Sequence, residues 1–151
     1  EVLRQARRRG VKVPVLGGDG LEGIESAGEL AEGVYLTSAY FPTLPTRANR
    51  RFVEAYRRKF PRAGMPNQPA AATYDAIHLL REVIDRAGTD RQAVRRALAA
   101  VGRETPAYTG VTGVVAFDAK GDVPDQNVYI GKVRGGAVEL ANRATDVAQG
   151  R

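Results

Sequence analysis

Residues 46–102 predict three helices in succession with no strand between them, and this order constrains the fold more than any other feature of the sequence. Thr46 can cap the first helix, and the second begins near Pro69. A capping box, TDRQ at residues 89–92, opens the third. A complete doubly wound α/β domain alternates strands with helices. We therefore expect these helices to pack as a layer on a sheet whose strands come from other segments of the protein.

Each of the three helices has apolar residues at helical spacing, which predicts a buried face. The cap of the second helix is either Asn67 or Gln68. The predicted buried residues are Phe52, Val53, Tyr56 and Phe60 on the first helix; Thr73, Ile77, Leu80 and Ile84, with Ala76 and Val83 beside them, on the second; and Val94, Ala97, Leu98 and Val101 on the third.

The chain before these helices predicts an α/β pattern. A helix ends near Gly10 and is followed by a strand at residues 11–16, a short helix at 21–30 and a strand at 33–38. The prolines of residues 41–45 restrict that segment to an extended connection, which we interpret as a crossing between two structural units. The first helix has no N-terminal cap, so the sequence reads as though cut from a longer chain.

Strands are predicted after the three helices. Residues 111–117 and 128–133 are rich in β-branched residues, and the segment 118–122 between them has turn chemistry. A hairpin turn at Gly135 and Gly136 leads into a last strand. The tail from Ala144 is expected to be frayed.

Composition excludes several classes of protein. The chain is 43% apolar and 26% charged, as in soluble proteins, and the sequence contains no run long enough to cross a bilayer. With 0 Cys, it has no disulfides, thiolate metal sites or cysteine nucleophile. The net charge of +6 comes from short basic groups, which we interpret as solvated helix faces. A basic nucleic-acid-binding module remains an alternative.

No catalytic, metal or cofactor site is predicted. His78 is the single histidine of the sequence. It lies between Ile77 and Leu79, and no cluster of carboxylates or thiolates accompanies it, so it makes a poor metal site. Asp118 and Asp122 flank Gly121 but lack the spacing of a calcium loop. The GGDG stretch is neither a dinucleotide fingerprint nor a P-loop, and no paired nucleophile and base is found. We therefore expect a protein that is not an enzyme.

Asp19 is the strongest candidate for a ligand contact. It lies within LGGDG, residues 16–20, directly after a predicted strand. One interpretation is a turn former or helix N-cap. The other is a ligand contact, because open α/β sheets bind ligands just beyond the carboxyl ends of their strands.

Several motifs occur in the order typical of one family. They are GGDG at 17–20, AEGVY at 31–35, FVEAY at 52–56, ATYDA at 72–76, GVTG at 110–113 and FDAKGD at 117–122. With these motifs, residues 1 to 141 resemble the C-terminal part of branched-chain amino acid ABC transporter substrate-binding proteins, which are extracellular ligand-binding receptors. The resemblance implies an α/β, type I periplasmic-binding-protein (Venus-flytrap) fold, present in part, with two lobes joined by crossing strands.

The resemblance also implies a division of the chain and a binding site. Residues 1–42 would belong to the second lobe, 43–110, with the three helices, to the first, and 111–151 would return to the second and include the hairpin. Asp19 would accept hydrogen bonds from a ligand ammonium group, and Gly18 and Gly20 would allow close backbone approach. Gln68 and Pro69 would line the side-chain pocket.

The function implied by the resemblance is high-affinity binding of a small amino-acid-like solute, by closure of the two lobes, for delivery to the membrane permease of an ABC importer. No cofactor and no nucleic acid are implied. The expected location is periplasmic or extracellular, with or without a lipid anchor. A ligand-sensing regulatory subunit of the same fold is the alternative function.

Overall fold

The computed structural model describes residues 1–141. In chain order the elements are α1 (Val2–Arg8), β1 (Leu16–Gly17), two 3-10 helices (Asp19–Leu21 and Ile24–Ala31), β2 (Tyr35–Ser38), α2 (Arg47–Lys59), α3 (Gln68–Ala87), α4 (Arg91–Ala100), β3 (Tyr108–Thr109), β4 (Val114–Val115), β5 (Tyr129–Arg134) and β6 (Ala137–Leu140). The predicted frayed tail from Ala144 lies outside the described residues.

The chain divides into two compact units. Among the described residues, the sheet unit comprises Glu1–Leu44 and residues 128–141, and the helical unit comprises Pro45–Asn127. The first passage between the units therefore falls inside the segment 41–45, where the sequence predicts a crossing. The second falls at Val128, whereas the sequence predicts a return at residue 111; the structure groups residues 111–127 with the three helices.

The sheet unit is built on four strands in the order β1-β2-β5-β6. β1 runs parallel to β2, while β5 is antiparallel to both β2 and β6. Gly135 (φ 57°) and Gly136 (φ 79°) form the turn of the predicted hairpin, and this left-handed pair matches the strand twist. The predicted strand at 33–38 is confirmed as β2. The core of the sheet unit contains five residues that are fully or almost fully buried: Ala31, Val34, Leu36, Tyr40 and Val133.

Two predictions for the start of the chain are wrong in part. Residues 11–15 are not strand, because only Leu16 and Gly17 pair with β2 and Pro14 has no N–H to donate. Val13 is 64% exposed, so this segment also lacks a buried face. The helix predicted at 21–30 is a 3-10 helix, interrupted where Gly28 takes a left-handed φ of 61°. The predicted end of the first helix, before Gly10 with φ 74°, is confirmed.

Side-chain caps begin all three helices of the helical unit. Thr46 Oγ1 accepts a hydrogen bond from the Asn49 N–H (3.1 Å), and Asn67 Oδ1 accepts one from the Ala70 N–H (3.1 Å). The third cap is Asp90, whose Oδ1 accepts from the Ala93 N–H at 2.8 Å. Asp90 thus replaces the predicted capping box that begins at Thr89. Pro69 is the second residue of α3, one position later than predicted.

The buried face of α3 differs from the predicted one. The structure buries Ala71, Asp75, Leu79 and Val83, while Ile77 is 61% exposed. The sequence-based prediction followed the apolar stripe of Ile77, Leu80 and Ile84. It failed because the buried face of α3 is centred on a carboxylate.

Asp75 holds the loop that follows β3. Its Oδ1 accepts a hydrogen bond from the Val111 N–H (2.8 Å), and its Oδ2 accepts from the Thr112 N–H and the Thr112 hydroxyl (both 2.7 Å). A Cβ on Gly110 would overlap this carboxyl group, so only glycine fits there. The strand predicted at 111–117 is therefore confirmed only at Val114 and Val115, which pair with β3.

The core of the helical unit joins α3, α4 and the small β3-β4 sheet. Leu79, Val83 and Val101 are its buried centre, and the α4 residues predicted to face inward pack against them. The partly buried residues around this centre are Val94, Ala97, Leu98, Tyr108, Val115 and Phe117. On α2, Phe52 is buried as predicted, but Phe60 is 48% exposed.

The predicted turn at 118–122 is confirmed. Asp118 Oδ1 accepts hydrogen bonds from the N–H groups of Lys120 (2.8 Å) and Asp122 (2.9 Å). The Asp122 N–H makes the largest contribution to lowering the pKa of the Asp118 carboxyl.

Asp75→Ala is expected to lower the free energy of unfolding by about 3 kcal/mol, because two buried N–H groups lose a charged acceptor. Urea unfolding of the full-length protein measures the loss. Asp85→Ala is the matched control, since Asp85 lies on the same helix with an exposed carboxylate that only approaches Arg81 (3.7 Å). Equal stability of the two variants would contradict this role of Asp75.

Because of Tyr108, we expect the free energy of unfolding to fall at alkaline pH. Burial raises the pKa of its phenol from 10.0 to about 12, and the carboxylates of Asp75 and Glu82 add to the shift. Folding thus favours the neutral phenol, so its contribution is complete below pH 10.0 and is lost as the pH rises towards about 12.

The Tyr108→Phe variant has no phenol group at this position to ionise. Its free energy of unfolding should therefore fall less than that of the wild type between these pH values. Denaturant titrations of both proteins across this range provide the measurement. Parallel pH curves for wild type and variant would show that Tyr108 does not contribute.

Candidate functional site

The candidate site in the sheet unit is the loop that leaves β1. Gly17 pairs with Leu36 in parallel register, so the chain beyond β1 and the chain beyond β2 leave the sheet at the same edge. Gly18 precedes the 3-10 helix that Asp19 opens, and the Leu21 N–H donates to the Gly18 carbonyl (3.0 Å). The loop therefore carries Asp19 just beyond the carboxyl end of a parallel strand, where open α/β sheets bind ligands.

Asp19 presents its carboxylate to solvent. The residue is exposed, and among residues 1–141 its side chain makes no hydrogen bond or ion pair. The N-cap of the 3-10 helix is Gly18, with no side-chain cap. The interpretation of Asp19 as a helix N-cap is therefore wrong, and its carboxylate is available to accept hydrogen bonds from a cationic group.

The three glycines of this loop have different steric environments. A Cβ on Gly17 would overlap the Leu21 side chain, which would have to move to make room for it. A Cβ on Gly18 or Gly20 would meet nothing within 4 Å. The described structure therefore leaves open space beside Gly18 and Gly20, and their lack of a side chain has no internal packing role.

An apolar cavity of about 770 Å³ lies on the α1 side of the loop. It is lined by Leu3, Leu16, Leu21 and Ile24, among others, and the backbone of Gly18 and Gly20 also borders it. The Asp19 side chain does not line it. Its lining also includes Glu1, Arg4 and Ser26, but the Glu1 and Arg4 side chains pair with each other at 3.0 Å. We therefore do not assign the charged groups of a solute to this cavity.

Gln68 and Pro69 lie together in the helical unit, at the first and second residues of α3. Asn67 caps this 20-residue helix, and Pro66 before it is fully buried, so the loop enters α3 along a fixed path. Gln68 is partly buried and Pro69 is exposed. The five predicted site residues thus form two groups, one in each compact unit.

Two residues that the sequence analysis did not single out lie at the same sheet edge as Asp19. Ser38 ends β2 and pairs with Tyr129, which begins the antiparallel strand β5. The Ser38 hydroxyl donates to the Tyr40 carbonyl (2.8 Å) and so shapes the chain beyond β2. The only sequence signal for them was strand alternation, which does not reveal which strand pairs with which.

The part of the chain that the structure describes meets neither the requirements of a metal-ion cluster nor those of a membrane-spanning helix. No group of 3 or more His, Cys, Asp or Glu side chains there is placed to hold a metal ion. None of the helices between residues 1 and 141 combines the length and apolarity needed to cross a membrane.

Comparison with known proteins identifies the fold. Residues 1–137 match the periplasmic binding protein family. A Leu/Ile/Val-binding protein homologue of Brucella abortus is 27% identical over 110 residues, which cover 73% of this chain and 27% of that protein. The chain thus spans about a quarter of that relative's length.

Two solved structures show the same architecture. The leucine binding protein of Thermotoga maritima is 31% identical, with a TM-score of 0.76 over 93% of this chain and 39% of that one. The branched-chain amino acid transporter substrate binding protein of Streptococcus pneumoniae, solved with isoleucine, is 28% identical, with a TM-score of 0.78 over 93% and 40%. The chain therefore belongs to the periplasmic binding protein family and has its type I α/β fold.

Proposed function

We propose that this protein binds a small amino-acid-like solute for delivery to an ABC importer. The observation that carries this proposal is the Asp19 carboxylate at the carboxyl end of β1, exposed and without a partner among residues 1–141, in a chain of this family. The names of two relatives, a leucine binding protein and a protein solved with isoleucine, support an amino acid as the solute class.

Asp19 has the role of accepting hydrogen bonds from the solute's α-ammonium group. Charge-assisted hydrogen bonds of this kind are short, and they strengthen when water is excluded. Gly18 and Gly20 let the loop backbone lie against the solute. Gln68 and Pro69 line the side-chain pocket from the other lobe, and a glutamine there suits a solute with some polar character as well as an aliphatic one.

The mechanism is closure of two lobes about the segments that cross between them. We assign residues 1–42 and 111–151 to one lobe and 43–110 to the other. The first change of compact unit, after Leu44, supports the boundary between residues 42 and 43, whereas the second, at Val128, falls later than the boundary assigned at residue 111. The closed form buries the solute, and no catalytic step takes part.

Delivery requires a membrane permease that distinguishes the closed form from the open one. This role assigns the protein to the periplasm or the extracellular side of the membrane, free or lipid-anchored. A ligand-sensing subunit of the same fold would use the same closure but would act on a regulatory partner. Reconstitution with the permease separates the two, because only the transport role predicts solute-stimulated ATP hydrolysis.

Asp19→Ala in the full-length protein is expected to weaken binding of leucine or isoleucine by roughly 2–5 kcal/mol, because the variant leaves a buried ammonium group without its acceptor. Isothermal titration calorimetry measures the change. Glu29→Ala is the control, since Glu29 is an exposed carboxylate of the same unit. If the Asp19→Ala variant binds the solute as tightly as the wild type does, Asp19 is not part of the site. If the protein instead binds oligonucleotides with an affinity that falls steeply with salt, the nucleic-acid alternative is favoured.

Gly18→Ala and Gly20→Ala test the close approach of the loop backbone. Each added Cβ enters open space in the described chain, so unfolding free energies should change by less than about 1 kcal/mol. Solute affinity should nevertheless fall, because the Cβ occupies the space that the solute needs.

Gly17→Ala is the steric comparison for these variants. Its Cβ displaces the Leu21 side chain, so this variant should lose more stability than the other two. Thermal unfolding and calorimetry on the three variants separate the two effects. Unchanged affinity in both Gly18→Ala and Gly20→Ala would exclude them from the solute site.

A further inference from the structure

A groove runs along α4 in the helical unit. A concave region of about 400 Å³ lies beside Thr89 and Val94, and a second of about 500 Å³ lies between the end of α4 and the turn at 118–122. Arg95 and Leu98 border both regions, so the two regions lie next to each other along α4. We call this surface the α4 groove.

Cationic side chains dominate the charge of the α4 groove. Its cations are Arg91, Arg95, Arg96, Arg103 and Lys120, and its carboxylates are Glu104 and Asp118. Within residues 1–141, none of the five cations makes an ion pair or a hydrogen bond through its side chain. Asp118 accepts two backbone hydrogen bonds within its own turn, and the charge of Arg103 also helps to lower the pKa of its carboxyl. Arg103 is therefore partly compensated, and the other four cations carry the excess charge. The groove therefore has excess positive charge in a concave surface, where fields are focused.

Apolar atoms form the floor of the α4 groove. Ile84 and Val94 line the first region and Phe117 lines the second, with Leu98 common to both. α4 has 10 residues, and a helix of that size is about 15 Å long, which matches four or five residues of extended peptide.

We propose that the α4 groove binds an extended, acidic peptide segment of a partner protein, a role that goes beyond solute binding. In an extended peptide, successive side chains point to opposite sides. Apolar side chains at alternate positions would contact the floor, and carboxylates between them would reach the cations. The contrast between apolar floor and cationic rim favours a peptide in which acidic and apolar residues alternate.

The shape of the groove favours a peptide over other anionic partners. A bilayer surface contacts protruding cations and does not enter a concave groove. Single-stranded nucleic acid is usually held by aromatic side chains that stack on successive bases, and Phe117 is the one aromatic residue in the described lining. A peptide uses both the floor and the rim.

The test is binding of a fluorescein-labelled peptide of sequence ELELE to the full-length protein, measured by fluorescence anisotropy at several salt concentrations. The variant Arg95→Gln/Arg96→Gln/Lys120→Gln should bind about tenfold more weakly and with a smaller salt dependence, because three exposed contacts are lost. The control Arg57→Gln/Arg58→Gln/Lys59→Gln removes the same charge from α2 and should bind as wild type does. Solute affinity of the groove variant should equal that of wild type.

A second measurement leaves the protein unaltered. Replacing every glutamate of the peptide with glutamine should abolish binding if its carboxylates contact the groove. Absence of ELELE binding to wild type would overturn the proposal, as would equal weakening in the groove and control variants. Tighter binding of phosphatidylglycerol vesicles or of an oligonucleotide through the same three residues would also overturn it, in favour of a lipid or nucleic-acid partner.

Discussion

The helical unit depends on a buried carboxylate. Asp75 accepts hydrogen bonds from two consecutive backbone N–H groups and a hydroxyl, and it thereby holds the loop between β3 and β4 against α3. With this loop in position, β4 leads to Phe117, whose N–H donates to the Val101 carbonyl at 3.0 Å. That bond joins the end of α4 to the chain after β4. The core around Val83 and one wall of the α4 groove both follow from this arrangement.

The same carboxylate explains why part of the sequence analysis failed. A hydrophobic pattern locates a buried face by its apolar residues, and it therefore selected Ile77 and not Asp75. It also treated Val111 as a strand residue, although the Val111 N–H bonds to a side chain 36 residues away. Helix ends were predicted better, because Thr46 and Asn67 cap through bonds within their own helices. Interactions that are local in sequence could be predicted, whereas those joining distant residues could not.

Asp19 could be selected as a candidate from the sequence because its signal is local and positional. A glycine-rich loop after a short apolar run indicates a strand end, and the edge at which parallel strands end is where such sheets bind ligands. The extent of β1 could not be predicted, since pairing depends on β2, 19 positions further along the chain. The resemblance gave the fold because several modest motifs occur in the right order, although no single one is specific. Gln68 and Pro69 were assigned to the candidate site by the resemblance alone.

The composition of the sequence does not distinguish the basic residues of the α4 groove from those on the exposed face of α2. Arg57 and Arg95 both appear in the sequence as charges on the outer face of an amphipathic helix, and both are exposed. The difference arises in three dimensions, because the turn at 118–122 stands beside α4 and makes the surface there concave. Isolated exposed cations are screened by salt within about 10 Å, whereas several around one groove act on the same bound group. The inward residues of α4 stabilise the core and the outward arginines do not, so a partner contact there can change without disturbing the fold.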